Sequence, residues 1–259
     1  MARRSYRVDF PSGSGQQTLA GIVDKPTDTD APIVVFSHCF TCNKDLKSIV
    51  RISRALADDG IAVLRFDMTG LGGSQGDFSQ TNFTTNCADL RSAIEFAGKE
   101  IGPVTALIGH SFGGAASMAV AGAYPPADLK ALVTLAAPSD TGHLADLLLR
   151  MNPEIGSKGR GEVEIGGYRW QIDRQMVDDF RKYDLSQVIP NIKVPTVIVH
   201  SIDDETLAFD QAINILNLIR QNNPNVSISA LAKAGHLLTE QENWQNAATV
   251  IASFLHRHA

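Results

Sequence analysis

The feature that most restricts the fold of this chain is a series of six short apolar segments, most of them separated by stretches of helical periodicity. The six segments are residues 32–36, 61–66, 104–108, 131–135, 195–199 and 226–231. Strands that are apolar at consecutive positions are typical of a parallel sheet with both faces covered, because neither face meets water. The pattern therefore predicts an α/β fold with a mostly parallel, doubly wound sheet.

The intervening and opening segments complete this prediction. Apolar residues spaced as on one face of a helix indicate four helices. These patterns run through residues 46–56, 90–97, 212–219 and 244–254. The opening segments 5–10 and 17–23 alternate in polarity and are joined by a turn rich in Gly and Ser, so we expect an antiparallel hairpin at the N-terminal edge of the sheet.

Composition sets the broad class of the protein. A chain of 259 residues with 44% hydrophobic and 20% charged residues is typical of a globular protein, and we expect a single domain over residues 1–259. The net charge of −5, without a basic cluster, argues against nucleic acid as a partner. No apolar run forms a signal peptide or reaches the roughly 18 residues of a membrane span, so we expect a cytoplasmic protein with no membrane partner. The sequence does not indicate an oligomeric state.

A Gly-x-Ser-x-Gly motif follows the third of the six apolar segments. Residues 109–113 lie between that segment and a run of small residues, which indicates a strand, a sharp turn and a helix. Side chains at Gly109 and Gly113 would collide with neighbouring chain in such a turn, which explains both glycines. The turn exposes the Ser111 hydroxyl and directs the free N–H groups of the helix at a bound acyl oxygen. Ser111 is therefore predicted to be a nucleophile.

Two later loops contain residues that would activate this serine. A serine hydroxyl is a strong nucleophile at neutral pH only when a histidine accepts its proton and a carboxylate orients that histidine. In sheets of this type the acid and the histidine follow the serine in that order. Asp203 and Asp204 follow the fifth apolar segment, and His236 follows the sixth. We predict Asp204 and His236 as the partners of Ser111; Asp203 stays open as the acid, and either carboxylate could instead cap the next helix.

An oxyanion hole requires backbone N–H donors that converge on the reacting carbonyl oxygen. One donor is the residue after the nucleophile, Phe112, and the second comes from the loop after the first apolar segment, where Phe40 is the candidate. The candidates for the substrate pocket share an apolar or aromatic character or lie in that same loop, although apolar residues of this kind more often belong to the core. The pocket candidates are His38, Cys39, Leu147, Trp170 and Met176.

The interval from Ala137 to Pro190 interrupts the alternation of strands and helices. It contains no buried strand, but residues 162–172 alternate in polarity around Gly166 and Gly167, which predicts a small exposed hairpin, and a helix follows from about Asp173. Insertions at this edge of such a sheet lie above the crevice where ligands bind. We therefore expect a cap insertion over Ser111 at about residues 138–190; the alternative is a surface decoration without substrate contact.

Three cysteines, Cys39, Cys42 and Cys87, cannot all pair with one another, which argues against a secreted disulfide framework. The spacing of Cys39 and Cys42 suits a metal half-site or a redox pair, but no second such motif completes a zinc site, so no metal is predicted. We expect structural or incidental thiols, with a redox role left open because Cys39 falls beside the predicted site.

The glycines of residues 70–73 lack dinucleotide-binding spacing and no phosphate loop is present, so no cofactor is predicted.

These motifs resemble the α/β-hydrolase superfamily over nearly the whole chain. The segments 38–45, 65–72 and 200–206 are more narrowly similar to the hydrolase half of proteins that fuse an α/β-hydrolase to an OsmC-like peroxide-handling domain. The first two segments also resemble those of hydroxycinnamoyl (feruloyl) esterases, although Cys39 stands where those enzymes have glycine. The resemblance implies an α/β-hydrolase fold, with the triad and the two oxyanion donors named above.

The sequence thus predicts a serine esterase that cleaves short-chain acyl esters of small molecules through an acyl-enzyme on Ser111. A thioesterase or a hydroxycinnamoyl esterase would use the same triad, and the sequence does not separate these activities because the shape of the pocket selects the leaving group. A hypothesis of a different class is a redox-responsive module that works through Cys39 and Cys42.

Overall fold

The structure of the protein, a computed structural model, describes residues 2–27 and 31–259. In this part of the chain, ten strands form an eight-stranded sheet and a separate two-stranded hairpin. The strands are β1 Arg3–Pro11, β2 Thr18–Pro26, β3 Ile33–Ser37, β4 Ala62–Phe66, β5 Val104–His110, β6 Ala131–Leu135, β7 Arg160–Ile165, β8 Tyr168–Asp173, β9 Thr196–Ser201 and β10 Val226–Leu231. The α-helices are α1 Lys47–Asp58, α2 Phe83–Glu100, α3 Phe112–Ala123, α4 Gly142–Met151, α5 Glu154–Lys158, α6 Arg174–Lys182, α7 Asp210–Arg220 and α8 Gln241–His258.

The main sheet is mixed, and its antiparallel part is confined to one edge. The strand order is β1-β2-β4-β3-β5-β6-β9-β10, with antiparallel pairing of β1 to β2 and β2 to β4 and parallel pairing of all the other neighbours. The predicted doubly wound sheet with an antiparallel N-terminal edge is therefore confirmed. The strand order reverses between β3 and β5, and the crevice at such a reversal is where sheets of this type bind ligands.

Helices cover both faces of the sheet, as continuous apolar strands require. Strands β3, β4, β5 and β6 have no exposed residue. Alternate residues of β3 point to opposite faces: Val35 joins a core with α2, α3 and α7, whereas Val34 and Phe36 join a core with α1 and α8. Within the described residues, no helix is long and apolar enough to cross a membrane.

The insertion between β6 and β9 contains the hairpin β7–β8 and three helices. Gly166 and Gly167 form the predicted hairpin turn and both have positive φ, 61° and 78°, which suits a two-residue turn between antiparallel strands. Helices α4 and α5 were not predicted, although Leu144 and Leu148 have helical spacing in α4. Helix α6 buries Met176 on the face that turns toward the core.

Hydrogen bonds fasten α6 to the segment that begins α2. The Asn82 amide donates to Gln175 Oε1 at 2.7 Å, and the Thr84 hydroxyl donates to Asp179 Oδ2 at 2.7 Å. Asn82 also caps α2, because its side-chain oxygen accepts from the N–H of Thr85 at 2.9 Å. The insertion is thus tied to the start of a helix of the main fold.

A buried ion network links β2 and β4 to the loop that follows β3. The guanidinium of Arg65, 2% exposed, donates to Asp24 at 2.9 Å, to Asp45 at 2.9 Å and to the Lys44 carbonyl at 2.8 Å. The Lys44 ammonium donates to Asp67 Oδ2 at 2.7 Å, and Asp67 Oδ1 accepts from the Lys44 N–H at 2.6 Å. These contacts hold residues 44 and 45, and the loop before them, against the centre of the sheet.

We expect Arg65→Met to lower the free energy of unfolding by about 3–5 kcal/mol, because the Asp24 carboxylate would stay buried without its cationic partner. Urea denaturation at neutral pH measures this change. Arg169→Met is the matched control, since Arg169 forms an exposed ion pair with Glu162, and its loss is worth less than about 1 kcal/mol. Equal effects of the two substitutions would contradict the importance of the buried network.

Candidate active site

Ser111 forms the turn between β5 and α3 by itself. Strand β5 ends one residue before it and α3 begins one residue after it, and its backbone has φ 53° and ψ −120°. A Cβ at Gly109 would collide with the backbone of Gly113, and a Cβ at Gly113 would collide with carbonyl oxygens at the end of β3. The structure therefore agrees with the steric reason for both glycines, and it leaves Ser111 partly exposed at the apex.

Three side chains from three different loops meet at this turn. The His236 Nε2 atom lies 3.0 Å from Ser111 Oγ, and His236 Nδ1 lies 2.8 Å from Asp204 Oδ2. Their loops follow β5, β9 and β10, whose carboxyl ends all lie on the same edge of the sheet. The structure thus brings together the three residues predicted as a triad.

The two neighbouring carboxylates have different partners. Asp203 Oδ2 accepts from the Lys233 N–H at 2.6 Å, and so holds the loop that carries His236. Asp204 Oδ1 accepts from the N–H groups of Thr206 and Leu207 at 2.8 and 2.9 Å, while Oδ2 faces His236. Only Asp204 is in position to orient the histidine.

The environment of Asp204 keeps it ionised. Burial opposes the charged form, but the hydrogen bonds from His236 and from two backbone N–H groups outweigh it and lower the pKa of Asp204 below its usual value. Because an ionised carboxylate only accepts hydrogen bonds, His236 must donate through Nδ1. In the neutral imidazole this leaves the Nε2 lone pair free to accept the proton of Ser111.

Two further histidines, His110 and His200, hold the loops of this site, a role that was not predicted from the sequence. His110 Nε2 donates to the carbonyl of His236 at 2.8 Å, and His200 Nε2 donates to the carbonyl of Leu207 at 2.9 Å. Burial, followed by the nearby His236, lowers the pKa of His110 to about 3, and burial also lowers the pKa of His200. Both rings are therefore neutral at pH 7. Their place at strand ends beside the motif residues was the available signal.

Replacement of His110 by Gln should weaken the pH dependence of stability. His110 stays neutral in the folded protein down to about pH 3, whereas an unfolded histidine takes up a proton near 6.5. Below that pH the unfolded state binds the extra proton, so the stability falls as the pH is lowered. We expect His110→Gln to reduce the slope of the unfolding free energy between about pH 6 and pH 5 by up to roughly 1.4 kcal/mol per pH unit. Urea denaturation across this range measures the slope, and an unchanged slope would show that His110 is not buried as a neutral ring.

The two residues predicted as oxyanion donors lie in segments that neighbour Ser111. Phe112 begins α3, and Phe40 lies in the loop that follows β3, a strand paired directly with β5. In residues 2–27 and 31–259, neither N–H group donates to a protein oxygen. The two aromatic rings are 5.5 Å apart, so the residues are close neighbours. An oxyanion hole needs two free donors, and the assignment of Phe40 and Phe112 to this role stays a prediction.

His38, the first residue of the loop after β3, fixes the position of that loop through two hydrogen bonds. The His38 Nε2 atom accepts from the Met68 N–H at 3.1 Å, so Nδ1 carries the ring proton and donates to the Cys39 carbonyl at 2.8 Å. His38 is 2% exposed, and burial lowers its pKa, which keeps the ring neutral. Its contacts are those of a residue that positions the loop, and its predicted place in the substrate pocket stays a prediction.

Cys39 and Cys42 are joined in a disulfide, so the expectation of structural or incidental thiols is wrong for these two residues. The N–H of Cys42 donates to the carbonyl of Cys39 at 3.2 Å, and this turn brings their Cα atoms to 5.4 Å, a usual separation for a bridged pair. Counting cysteines could not reveal this pairing, because it depends on the turn between them. Cys87 is the free thiol, and burial raises its pKa.

A cluster of aromatic rings connects this loop to the β6–β9 insertion. The ring of Phe40 lies 5.4 Å from that of Phe78 and 5.9 Å from that of Phe180 on α6. Trp170 of β8, a predicted pocket residue, reaches the cluster through Phe78 at 5.0 Å. The insertion therefore packs against the segment that carries a candidate oxyanion donor. The contacts of Phe78 and Phe180 with Phe40 were not predicted from the sequence, since nothing in their local patterns separates them from ordinary core residues.

Two other predicted pocket residues occupy different surroundings. Met176 on α6 has no exposed surface, and Leu147 on α4 is 39% exposed. The contact of these two residues with substrate stays a prediction. Within the described ranges, no three His, Cys, Asp or Glu side chains are grouped as a metal ion would require.

The sequence and the fold both match known proteins. A model of the alpha/beta hydrolase family matches residues 34–248, a range that includes Ser111, Asp204 and His236. This chain belongs to the alpha/beta hydrolase family. No curated protein matches it significantly in sequence.

Several solved structures of this hydrolase fold are similar over nearly the full length. The esterase domain of a protein from Rhodothermus marinus shares 32% identity and a TM-score of 0.77, covering 98% of this chain and 99% of that chain. Est1E from Butyrivibrio proteoclasticus, with ferulic acid bound, shares 20% identity and a TM-score of 0.82, covering 96% and 98%. The esterase Pf2001 from Pyrococcus furiosus shares 16% identity and a TM-score of 0.72, covering 98% and 93%. The last two show the likeness of fold alone.

Proposed function

We propose that this hydrolase is a serine esterase that cleaves carboxylic esters of small molecules, preferring short acyl chains. Family membership and the similarity to an esterase domain support a hydrolase of the esterase kind. The observation that carries the finer proposal is the position of His236, whose two ring nitrogens contact Ser111 at 3.0 Å and Asp204 at 2.8 Å.

The reaction would proceed through an acyl-enzyme. Ser111 Oγ attacks the ester carbonyl while His236 Nε2 takes its proton, and Asp204 stabilises the imidazolium that forms. The N–H groups of Phe40 and Phe112 bind the negative oxygen of the tetrahedral intermediate. His236 then gives the proton to the departing alkoxide. Water, deprotonated by the same histidine, attacks the acyl-enzyme and releases the acid.

The preference for short acyl chains rests on the aromatic cluster around Phe40. Phe112 and Phe180 are 4% and 1% exposed, so their rings pack against each other rather than border open space. Cys39 also adds a side chain to the loop after β3, at a position where the feruloyl esterases that this chain resembles have glycine. Est1E binds ferulic acid, but at 20% identity only its fold is transferable, so a hydroxycinnamoyl ester is the second candidate substrate. A thioester is the third, because the triad chemistry would be the same. The narrower likeness to hydrolase halves of OsmC fusions stays a prediction.

The first test is the hydrolysis of p-nitrophenyl butyrate by the wild type and by Ser111→Ala. We expect the substitution to lower kcat by about 10⁶, because no other group would replace the nucleophile. Ser117→Ala is the matched control: Ser117 lies in α3, its buried hydroxyl has no hydrogen-bond partner among the described residues, and its loss should leave the rate within about twofold.

A wild type that is inactive on this ester, or equal rates for wild type and Ser111→Ala, would reject the esterase proposal. Butyryl thioester and methyl ferulate, measured with the same preparation, rank the three substrate classes. A higher kcat/KM for methyl ferulate than for p-nitrophenyl butyrate would replace the short-chain preference with the hydroxycinnamoyl one.

The identity of the acid is tested by exchanging one charge at a time. Asp204→Asn should lower kcat by about 10⁴, because the neutral amide no longer selects the His236 tautomer that can accept the serine proton. Asp203→Asn keeps an oxygen for the Lys233 N–H and should cost less than about tenfold, the size of one modest hydrogen bond. Steady-state kinetics of both variants decides the assignment, and the reverse order of effects would move the role to Asp203.

A further inference from the structure

The Cys39–Cys42 disulfide closes a four-residue turn around a candidate oxyanion donor. The two bridged residues enclose only Phe40 and Thr41. Cys39 is 4% exposed and lies directly before Phe40, whereas Cys42 is partly exposed at the other end of the turn. The bridge thus sets the path of the backbone from which the Phe40 N–H projects.

The conformation inside the turn is one that the chain does not favour by itself. Thr41 has φ 58°, in the left-handed region that β-branched residues avoid. Its hydroxyl donates to the Phe40 carbonyl at 2.7 Å, so the peptide after Phe40 is also held. When the covalent closure is removed, Thr41 can relax toward negative φ, and this relaxation rotates the peptide groups on either side of it.

We propose that the Cys39–Cys42 pair is a reversible thiol–disulfide site, and that its reduction by a dithiol lowers the esterase activity by displacing the Phe40 N–H from the oxyanion hole. This inference rests on the proposed esterase function. The ligand class is a dithiol, either a small molecule or a protein with two neighbouring thiols, which donates two electrons and two protons.

The partial exposure of Cys42 sets the order of the exchange. A thiolate of the dithiol attacks the Cys42 sulfur, the sulfur–sulfur bond of the protein breaks, and Cys39 leaves as a thiolate that takes up a proton. The second thiol of the reductant then attacks the mixed disulfide and releases Cys42 as a thiol. The products are two protein thiols and the oxidised dithiol, so electrons and protons balance.

Two non-covalent contacts limit the size of the effect. Reduction does not remove the hydrogen bond from the Cys42 N–H to the Cys39 carbonyl, nor the one from His38 Nδ1 to the same carbonyl. The reduced loop therefore stays near its place, and the donor is misplaced rather than removed. Loss of an entire oxyanion donor costs about 10²–10³ in kcat, so we expect reduction to cost about tenfold, with KM changed less than about twofold.

The experiment compares kcat and KM on p-nitrophenyl butyrate before and after treatment with dithiothreitol, followed by reoxidation with glutathione disulfide. Thiols titrated after denaturation should rise from one to three upon reduction, since two of the three cysteines are bridged. We expect kcat of the wild type to fall about tenfold and to recover on reoxidation. Cys42→Ala should show the reduced kcat in both conditions. Cys87→Ala is the matched control and should respond like the wild type, because Cys87 lies in α2 outside the bridge.

Other results would overturn the proposal in distinct ways. A wild type with three free thiols and unchanged kcat shows that the bridge does not set the donor, and three free thiols even after glutathione disulfide show that no bridge forms. A response that persists in Cys42→Ala places its origin elsewhere. Labelling of Ser111 by a fluorophosphonate separates these outcomes from failure of the esterase function: a labelled, active but unresponsive enzyme rejects only the redox site, whereas an unlabelled and inactive one rejects both proposals.

Discussion

The close approach of α3 to the carboxyl ends of β3 and β5 is the contact on which the site depends. Gly109 and Gly113 permit it, because a Cβ at either position would strike backbone. The small residues that follow Gly113 let the helix sink until its first three turns have no exposed residue. The result is a helix that begins beside the strand reversal, where the loops after β5, β9 and β10 bring Ser111, Asp204 and His236 together.

The electrostatic character of the site follows from burial around that crevice. His38, His110 and His200 have lowered pKa values, and each donates from one ring nitrogen to a backbone carbonyl in a loop of the site. They act as neutral hydrogen-bond donors that position backbone. The negative charge at the site is carried by Asp204, which its N–H partners and His236 keep ionised. The histidine that contacts Ser111 is therefore oriented by one fixed anion, which accepts a hydrogen bond from its Nδ1.

Much of this arrangement could be predicted from the sequence, because the relevant signals are local. Continuous apolar segments predicted the parallel sheet, and the Gly-x-Ser-x-Gly motif placed Ser111 at the turn before α3. The choice between Asp203 and Asp204 could not be made in the same way, since both lie in one loop and only the directions of their hydrogen bonds separate them. The place of the Phe180 ring could not be predicted for a related reason, because it depends on where a distant helix lies. The spacing of Cys39 and Cys42 allowed a redox pair, but the formation of the bridge depends on the turn between them. Helix α4 has a local signal in the spacing of Leu144 and Leu148, whereas α5 has only five residues and too short a pattern to predict.

The adjacent positions of the two strands that flank the insertion affect how the length and sequence of the insertion can change. Strands β6 and β9 are direct neighbours in parallel register, so the chain leaves the sheet for the insertion and returns to the adjacent position. The insertion can therefore lengthen, shorten or be exchanged while the sheet on either side keeps its pairing. Its aromatic residues meet the loop after β3, but the serine, the acid and the histidine all lie outside it. The part of the gene that encodes the insertion is thus separate from the parts that encode Ser111, Asp204 and His236, which lets natural selection or protein engineering alter the insertion without rebuilding the arrangement of these three residues.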